Sequence, residues 1–459
     1  MKNIYMTGFK VQGIKTLDQP ISLSFYKKTI RKPIDTQDYN IKGIYGMNGS
    51  GKTGIVTAID ILRKLIINDN YLNNPVVQKS LEGLINKRTK KLSLELEYLA
   101  DVGKTTMLYR YSVELKKSLS DKYVIGSESL CAKTASSNST ELMPLIEVVG
   151  GEVGFINDNG KDAFPASFIE KTKNLLVTSS IPALFFEKIV LSDMQNEEKA
   201  RGFLFVSLYI LLFLGHTIYV YMEQSDDHTD YSLNSIIEYD SLSEILDKIP
   251  LKDIKKKLRF IDRNRLNVFS TDGNIIPREI FGDYMNAVKK LQMFIQVFKP
   301  DLKRIDIDKK TVGEKYKCDL LMVYDSYSIA AEFESTGVKK LIKLFAYLRE
   351  MAQGGIVFID EFDSNLHDVY LCALLEYLMD YGEGQLCFTT HNVSPMEILK
   401  RHKMSIDFLS LDHKISSWKT NGNYSPSNLY KRGMIEGLPF NVDSTDFIGI
   451  LDSLEEVEE

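Results

Sequence analysis

The architecture of this chain follows from the octapeptide Gly46-Met47-Asn48-Gly49-Ser50-Gly51-Lys52-Thr53, which has the form GxxxxGK[ST]. A short β-like stretch, residues 41–45, precedes it, and residues 55–62 follow with apolar side chains at helical spacing. Strand, glycine-rich loop and helix are the context that a phosphate-binding P-loop requires. The alternative is a glycine-rich turn that matches by chance, and the flanking elements argue against it. The octapeptide therefore predicts that the chain binds a nucleoside triphosphate.

The residue types of this loop predict how the triphosphate is held. Its glycines let the backbone turn its N–H groups inward, and the positive end of the following helix faces the same anion. Lys52 is expected to reach the β- and γ-phosphates, and Thr53 is expected to place its hydroxyl on Mg²⁺. ATP and Mg²⁺ are therefore the predicted cofactors. The predicted nucleotide-binding residues of the loop are Gly46, Asn48, Gly49, Ser50, Gly51, Lys52 and Thr53.

The composition is that of an ordinary globular protein rather than a disordered one. Of the 459 residues, 44% are hydrophobic and 26% are charged, which is enough apolar material for a large core and for two or three domains. The net charge of −5 argues against a nucleic-acid coat over the whole surface but leaves room for a local basic patch. Four cysteines without a CxxC pair predict neither a zinc site nor a disulfide framework. The first residues lack a signal-peptide core, so the cytoplasm is the expected compartment.

Hydrophobic patterning divides the chain into four parts. Residues 92–98, 107–115 and 123–130 alternate apolar and polar side chains across short polar breaks, as an antiparallel meander would. After about residue 318, strand and helix patterns alternate, which is typical of an α/β fold. The predicted parts are an N-terminal ATPase lobe (1–160), a mainly helical insertion (161–312), a C-terminal ATPase lobe (313–420) and an extension with an acidic tail (421–459).

Two segments of the insertion have unusual composition. Residues 203–222 carry no formal charge over a length that could span a membrane, but Gly215, His216 and Thr217 interrupt them and no second span is apparent. We therefore expect a buried helix with a break near Gly215, and no membrane partner; a span is the alternative. Residues 252–265 carry seven basic and two acidic residues, which predicts either a DNA contact or a solvated helix face. The basic residues are Lys252, Lys255, Lys256, Lys257, Arg259, Arg263 and Arg265.

Two further strand-like segments end in residues suited to ATP hydrolysis. Residues 356–359 form an unbroken apolar run, typical of a buried parallel strand, and lead into Asp360 and Glu361. Asp360 is expected to hold Mg²⁺, directly or through water, and Glu361 is expected to polarise the attacking water. Residues 385–390 lead in the same way to His391, which could donate a hydrogen bond to the γ-phosphate. The alternatives are a core strand that meets an acidic turn, and a histidine on a surface loop.

Ser335 and Gly337 stand at the predicted start of a helix shortly before the acidic strand. A serine hydroxyl and free backbone N–H groups at a helix start can bind an anion, although a plain helix cap is the alternative. Their position relative to the other three motifs favours a nucleotide-binding role.

In this order, the four motifs resemble those of an ABC-type ATPase head of the OLD/SMC kind. The P-loop is similar to the GxNGSGK[ST] loop of such heads, and Ser335 and Gly337 fall where the LSGGQ signature has its serine and second glycine. Residues 360–367 follow the DExxSxLD pattern, with His367 in place of its last aspartate. A Q-loop glutamine is not identifiable; Gln78 is a poor candidate.

This resemblance covers about residues 1–160 and 315–420, and it implies a fold and an assembly. The fold is α/β: an ABC-ATPase-like P-loop NTPase head with a β-meander lobe and a helical insertion. The assembly is a head-to-tail dimer, or a higher multiple of dimers, in which Ser335 and Gly337 of one subunit close over ATP held by Lys52 of the other.

The chain lacks a segment resembling the TOPRIM domain of OLD nucleases and lacks the long coiled coils of SMC-type repair proteins. It is therefore most similar to the ATPase subunits of two-component anti-phage systems of the PARIS, AbiL or Septu type. That resemblance implies a separately encoded effector, often a TOPRIM-type nuclease, and a phage trigger protein as partners. The alternatives are a repair or recombination ATPase that contacts DNA through residues 252–265 and residues 87–91, and a transporter ATPase with residues 203–222 as its membrane link.

Overall fold

The computed structural model describes residues 4–31, 34–137, 139, 141–157, 164–190, 202–223, 268–419 and 425–435. Residues 252–265, for which the sequence predicts a DNA contact, lie outside the described residues, and so does the acidic tail.

Seventeen strands of the described residues form three sheets. In chain order they are β1 (Ile4–Gln12), β2 (Ile21–Ser24), β3 (Ile41–Gly46), β4 (Lys91–Val102), β5 (Thr105–Lys117), β6 (Tyr123–Thr134), β7 (Met143–Val149), β8 (Glu152–Ile156), β9 (Ile218–Tyr221), β10 (Asn274–Pro277), β11 (Arg304–Val312), β12 (Lys315–Val323), β13 (Ser328–Ala330), β14 (Ile356–Ile359), β15 (Gln385–Thr390), β16 (Ile406–Leu409) and β17 (Ile415–Ser417).

The α-helices of the described residues cover these sheets. In chain order they are α1 (Lys52–Ile67), α2 (Pro75–Leu84), α3 (Phe164–Thr172), α4 (Ile181–Leu184), α5 (Phe203–Thr217), α6 (Phe281–Phe298), α7 (Thr336–Ala352), α8 (Asp368–Tyr381), α9 (Met396–Leu399) and α10 (Pro426–Lys431).

The central sheet carries the P-loop. Its strand order is β17-β16-β3-β15-β14-β9, and every pair is parallel except β16 with β17 at one edge. All residues of β3, β14 and β15 are buried, as expected for parallel strands with both faces covered. β15, which leads to His391, thus lies between β3, which leads to the P-loop, and β14, which leads to Asp360 and Glu361. Parallel strands place their carboxyl ends at one edge, so the residues that follow them meet there.

The predicted meander is an antiparallel sheet of seven strands in the order β2-β1-β4-β5-β6-β7-β8. Alternate residues of β4 and β5 are buried, which fits their alternating sequence. The buried face joins α1, α5 and part of the central sheet in one hydrophobic cluster. The α/β fold class that the sequence predicts is confirmed.

Residues 203–222 form less of a helix than the sequence predicts. The chain is helical only over α5, and its next four residues form β9, which pairs with β14 at the edge of the central sheet. Gly215 does not break the helix; it lets α5 approach α1, since a Cβ there would lie 2.4 Å from Ile66 Cγ2. Most of α5 is buried, as predicted. Among the described residues, no helix is long and apolar enough to cross a membrane.

A third, smaller sheet lies next to the signature helix. Its order is β10-β12-β11, with β13 also paired to β12, and all pairs are antiparallel. Helices α6 and α7 share a hydrophobic cluster with it. The buried residues of α6, which are Tyr284, Val288, Leu291 and Ile295, recur at helical spacing. The predicted limits of the insertion at residues 161 and 312 stay a prediction, although β9 and α5 within them contribute to the central sheet and its cover.

Candidate functional site

The P-loop is a tight turn between β3 and α1. Gly49 and Gly51 have φ values of +80° and +104°, which L residues with a side chain rarely adopt. Gly51 caps α1, and a Cβ on it would lie 2.3 Å from the Leu17 side chain, so the loop sits directly on the β1–β2 connection. Backbone N–H groups at the start of α1 are therefore free of intrahelical partners at the place where an anion would sit.

The side chain of Lys52 is buried within this loop. Its side chain donates hydrogen bonds from Nζ to the carbonyl oxygens of Gly46 (2.8 Å) and Met47 (2.9 Å). Burial lowers the pKa of Lys52 below its ordinary value, and the carboxylates of Asp360 and Glu361, among others, oppose this shift. The ammonium group thus lies inside the loop, facing the carboxylates that follow β14.

The loop fits a phosphate group. Ser50 Oγ is buried, and none of the described residues gives it a hydrogen bond, which is costly unless a ligand supplies one. Asn48 and Gly49 are exposed at the tip of the loop, where their backbone can face a ligand. Thr53 follows Lys52 in the first turn of α1, the position from which a hydroxyl can reach a metal ion bound to phosphate.

Asp360 and Glu361 end the acidic strand and are held by a threonine of the neighbouring strand. Thr389 Oγ1 donates to Asp360 Oδ1 (2.6 Å) and accepts from Glu361 N (2.8 Å). The backbone N–H of Asp360 donates to Tyr221 O at the end of β9 (2.9 Å). Glu361 has a left-handed backbone with φ of +50°, and its side chain is exposed. Three strands therefore fix the backbone that presents the two carboxylates.

His391 follows β15 at the same edge of the sheet. Desolvation of the imidazole lowers the pKa of His391, the Lys52 cation lowers it further, and the carboxylates of Asp363, Glu361 and Asp360 oppose the shift. These charge interactions place His391 with the P-loop lysine and the two carboxylates. A neutral imidazole there can still donate one N–H to a phosphate oxygen.

Ser335 and Gly337 lie at the start of α7. Ser335 is exposed and caps the helix, since its Oγ accepts from Val338 N (3.4 Å). Gly337 packs on the loop after the acidic strand, where a Cβ would lie 2.5 Å from Asn365 O. Thr336 Oγ1 also donates to Asn365 Oδ1 (3.3 Å). Within one chain, the signature segment thus contacts the loop of residues 363–366.

Three residues near the cluster were missed from the sequence. The sequence predicts Thr389 only as part of a strand, because its hydrogen bonds depend on strand order, which the sequence does not show. Lys15 has a left-handed backbone, and burial lowers its pKa while attraction to Asp360 opposes the shift, which places it near the site. Glu223 follows β9, a strand that was predicted as helix; its charge acts on Lys340 of α7.

Gln78 and His367, whose roles the sequence leaves unassigned, have structural roles. Gln78 of α2 donates to the carbonyl oxygens of Leu72 and Tyr123 and accepts from Tyr123 N, so its side chain is engaged in holding β6. His367 caps α8, with Nδ1 accepting from Val369 N (3.3 Å). All four cysteines are free, and no cluster of three or more metal-ligating side chains occurs among the described residues.

Residues 319–396 match the model of a protein family described as "AAA domain, putative AbiEii toxin, Type IV TA system". The matched segment includes the signature helix, the acidic strand and His391. The match spans 78 of the 459 residues and supports an AAA- or ABC-type P-loop ATPase domain. Domains of this class bind ATP and typically Mg²⁺, which agrees with the phosphate cradle around Lys52 and with Asp360 across from it.

Comparison with solved structures gives 75 matching chains. One of them, described as "Structure of the recombination mediator protein RecF-ATPrS in RecFOR pathway", is 12% identical in sequence. The alignment covers 91% of this chain and 99% of that chain, with a TM-score of 0.38. A score this low does not by itself establish a shared fold. No curated protein matches the sequence significantly.

Proposed function

We propose that this chain is an ATP-hydrolysing dimeric switch of an anti-phage defence system, and that it controls a separately encoded toxic effector. The observation that carries the proposal is the convergence of Lys52, Asp360, Glu361 and His391 at one edge of the central sheet, while Ser335 is exposed at the start of α7.

The cluster can carry out ATP hydrolysis. Lys52 and the N–H groups of the P-loop would hold the phosphates, and Thr53 and Asp360 would hold Mg²⁺, which supplies charge neutralisation at the phosphates. Glu361 is exposed and would accept a proton from the attacking water. His391 can donate to the γ-phosphate, and loss of that bond would report hydrolysis to the neighbouring strand.

The signature segment supports a head-to-tail dimer. The exposed hydroxyls of Ser335 and Thr336 and the N-terminus of the 17-residue helix α7 form an anion-binding surface that its own P-loop does not use. In the dimer, this surface would close over ATP held by Lys52 of the other subunit. ATP would then join the subunits, and hydrolysis would release them.

The family description supports the defence role, because it names a toxin of a toxin–antitoxin system. Switches of this kind need an effector, and a TOPRIM-type nuclease encoded nearby is the proposed one. A phage protein that changes the ATP-bound dimer would be the trigger. Function as a DNA-repair ATPase is the second candidate, and it is favoured by the seven basic residues within residues 252–265 and by the four within residues 87–91.

The assembly is tested by measuring molar mass in solution with and without ATP and Mg²⁺. The wild type should become dimeric with ATP, whereas Ser335→Arg should stay monomeric yet bind ATP with the affinity of the wild-type monomer, because Ser335 acts on the partner's nucleotide. Ser120→Arg, on the exposed β5–β6 turn, is the matched control and should dimerise. A Ser335→Arg dimer content equal to that of the wild type would remove the signature from the interface.

The effector is tested by co-purification with the product of the neighbouring gene, followed by mass measurement. A stoichiometric complex containing a nuclease supports the switch. Salt-sensitive binding of DNA by the isolated chain, without such a partner, would favour the repair function instead.

A further inference from the structure

Helix α7 contains a buried lysine that none of the motifs explains. Lys340 is 3% exposed, and its Nζ donates to Glu361 O (2.5 Å) and to Ser364 Oγ. The neighbouring Lys339 is partly exposed and reaches only the carbonyl of Glu332, at 3.3 Å. Lys340 therefore joins the signature helix to the backbone of the candidate catalytic base.

The surroundings of Lys340 explain how a charge is kept there. Burial lowers the pKa of Lys340, and the carboxylates of Glu223, Asp363, Glu361 and Asp360 oppose this shift. A buried ammonium group is costly unless it has hydrogen-bond partners and counter-charges. Both are present, and they come from the loops that follow β9 and β14.

The carbonyl that Lys340 binds belongs to a strained residue. Glu361 has φ of +50°, and a residue other than glycine pays about 1–2 kcal/mol in the left-handed region. Three contacts hold it there: Lys340 and the backbone N–H of Ser364 (3.1 Å) donate to its carbonyl oxygen, and its N–H donates to Thr389. The Ser364 bond lies within the loop itself, whereas the Lys340 bond makes the direction of the Glu361 side chain depend in part on where α7 lies.

The first turn of α7 is tied to the same loop, because Gly337 packs on Asn365 O and Thr336 Oγ1 bonds Asn365 Oδ1. A shift of the signature segment must therefore move the loop of residues 361–366. We propose that Lys340 is a positioning residue that transmits engagement of the signature to Glu361 of the same subunit. This inference rests on the proposed head-to-tail dimer.

In that dimer, the signature of a subunit covers the partner's ATP, whereas Glu361 acts on the subunit's own ATP. Lys340 then links the two nucleotide sites, so that ATP bound at one site aligns the base at the other. Hydrolysis should depend cooperatively on ATP concentration, and Lys340 should be needed for that dependence.

The test compares Lys340→Met with Lys339→Met, a change of the same size one position away. We expect Lys340→Met to lower kcat roughly 10- to 100-fold, the loss typical of a misplaced catalytic group, with ATP affinity within about 3-fold of the wild type. Its Hill coefficient should fall toward one. Lys339→Met should keep the wild-type values, and Lys340→Arg, which retains the charge and the donors, should recover part of kcat and of the cooperativity.

The other outcomes separate a failure of the coupling from a failure of the proposed function. If Lys340→Met and Lys339→Met have equal kcat and equal Hill coefficients, or if the wild type shows a Hill coefficient of one, Lys340 does not couple the sites. If the wild type fails to hydrolyse ATP at all, the proposed function itself is wrong. Should Lys340→Met not fold, Lys340→Gln and Ser364→Ala replace it: wild-type kcat and cooperativity in both folded variants would overturn the inference.

Discussion

At the scale of single residues, the position of Glu361 matters most for the proposed chemistry. It follows Asp360 directly, its N–H is bound by Thr389, and its side chain is exposed at the edge where Lys52 lies. Glu361→Gln keeps the size of the side chain but removes the base. We expect ATP affinity to stay unchanged and hydrolysis to slow by roughly 10²- to 10⁴-fold, the usual share of a general base. Single-turnover hydrolysis of radiolabelled ATP measures this loss.

The control for that prediction is Glu376→Gln. Glu376 is an exposed residue of α8 that pairs with Arg401, so the change should leave turnover intact. Wild-type single-turnover rates in Glu361→Gln would remove this residue from the role of base and direct attention to another proton acceptor.

Residue types and spacing predicted which side chains lie at the site but not what supports them. Lys52, Asp360, Glu361 and His391 each follow a recognisable strand, and the ends of parallel strands meet. Their catalytic and binding roles stay predictions. Thr389 and Lys340 were not found, because an internal strand threonine and a helix lysine look ordinary until strand order and helix placement are known.

At the scale of elements, the contact between α5 and α1 depends on a missing side chain. At Gly215 a Cβ would lie 2.4 Å from Ile66 Cγ2 and 2.9 Å from Ile67 Cγ2, so the helices would have to separate. Gly215→Ala should destabilise the fold by about 1–3 kcal/mol through overpacking, less the gain of up to about 1 kcal/mol from helix propensity. Urea unfolding gives the difference in free energy.

Gly83 in α2 is the matched control, because a Cβ there has nothing within 4 Å. Gly83→Ala should stabilise the protein by about 0.5–1 kcal/mol, since only the propensity term remains. If Gly215→Ala raises the unfolding midpoint as much as Gly83→Ala does, a Cβ at Gly215 does not strain the packing of α5 on α1.

The boundary between α5 and β9 shows what hydrophobic patterning does not predict. An apolar run with polar breaks predicts burial, and α5 is buried. A fully apolar segment has no periodicity, however, so it does not separate a helix from the buried strand that follows it. β9 begins at Ile218 because β14 offers it a parallel edge, a long-range cause that local sequence does not contain.

At the scale of the whole molecule, the motif order predicts the fold class but does not predict the contacts that connect the meander to the rest of the chain. The P-loop and the acidic strand require a parallel α/β sheet, and the alternating segments require a meander, and both are present. Glu128 of β6 connects the meander to α4. This fully buried carboxyl group accepts from Ile181 N (2.9 Å) at the start of α4 and contacts Tyr111 OH.

Glu128 should make the stability of the molecule depend on pH. Burial raises the pKa of Glu128 from 4.5 to about 8, so the folded state keeps a proton that the unfolded chain loses. Below pH 4.5 both states are protonated and the group has no effect. Between about pH 4.5 and 8 the Glu128 carboxyl group ionises only in the unfolded state, which lowers the free energy of unfolding by up to about 1.4 kcal/mol per pH unit. Above pH 8 the penalty is constant.

Glu128→Gln removes this titration while keeping an oxygen that can accept from Ile181 N. Urea midpoints measured at pH 5, 6, 7 and 8 should therefore show the variant gaining on the wild type with each step, whatever its stability at pH 5. Glu147→Gln, on the exposed side of β7, should follow the wild type in parallel. A constant gap between Glu128→Gln and the wild type across this range would mean that the buried carboxyl group is ionised in the folded protein. Its contacts with Tyr111 and Ile181 would then be those of a carboxylate, and the meander would be held by a buried charge.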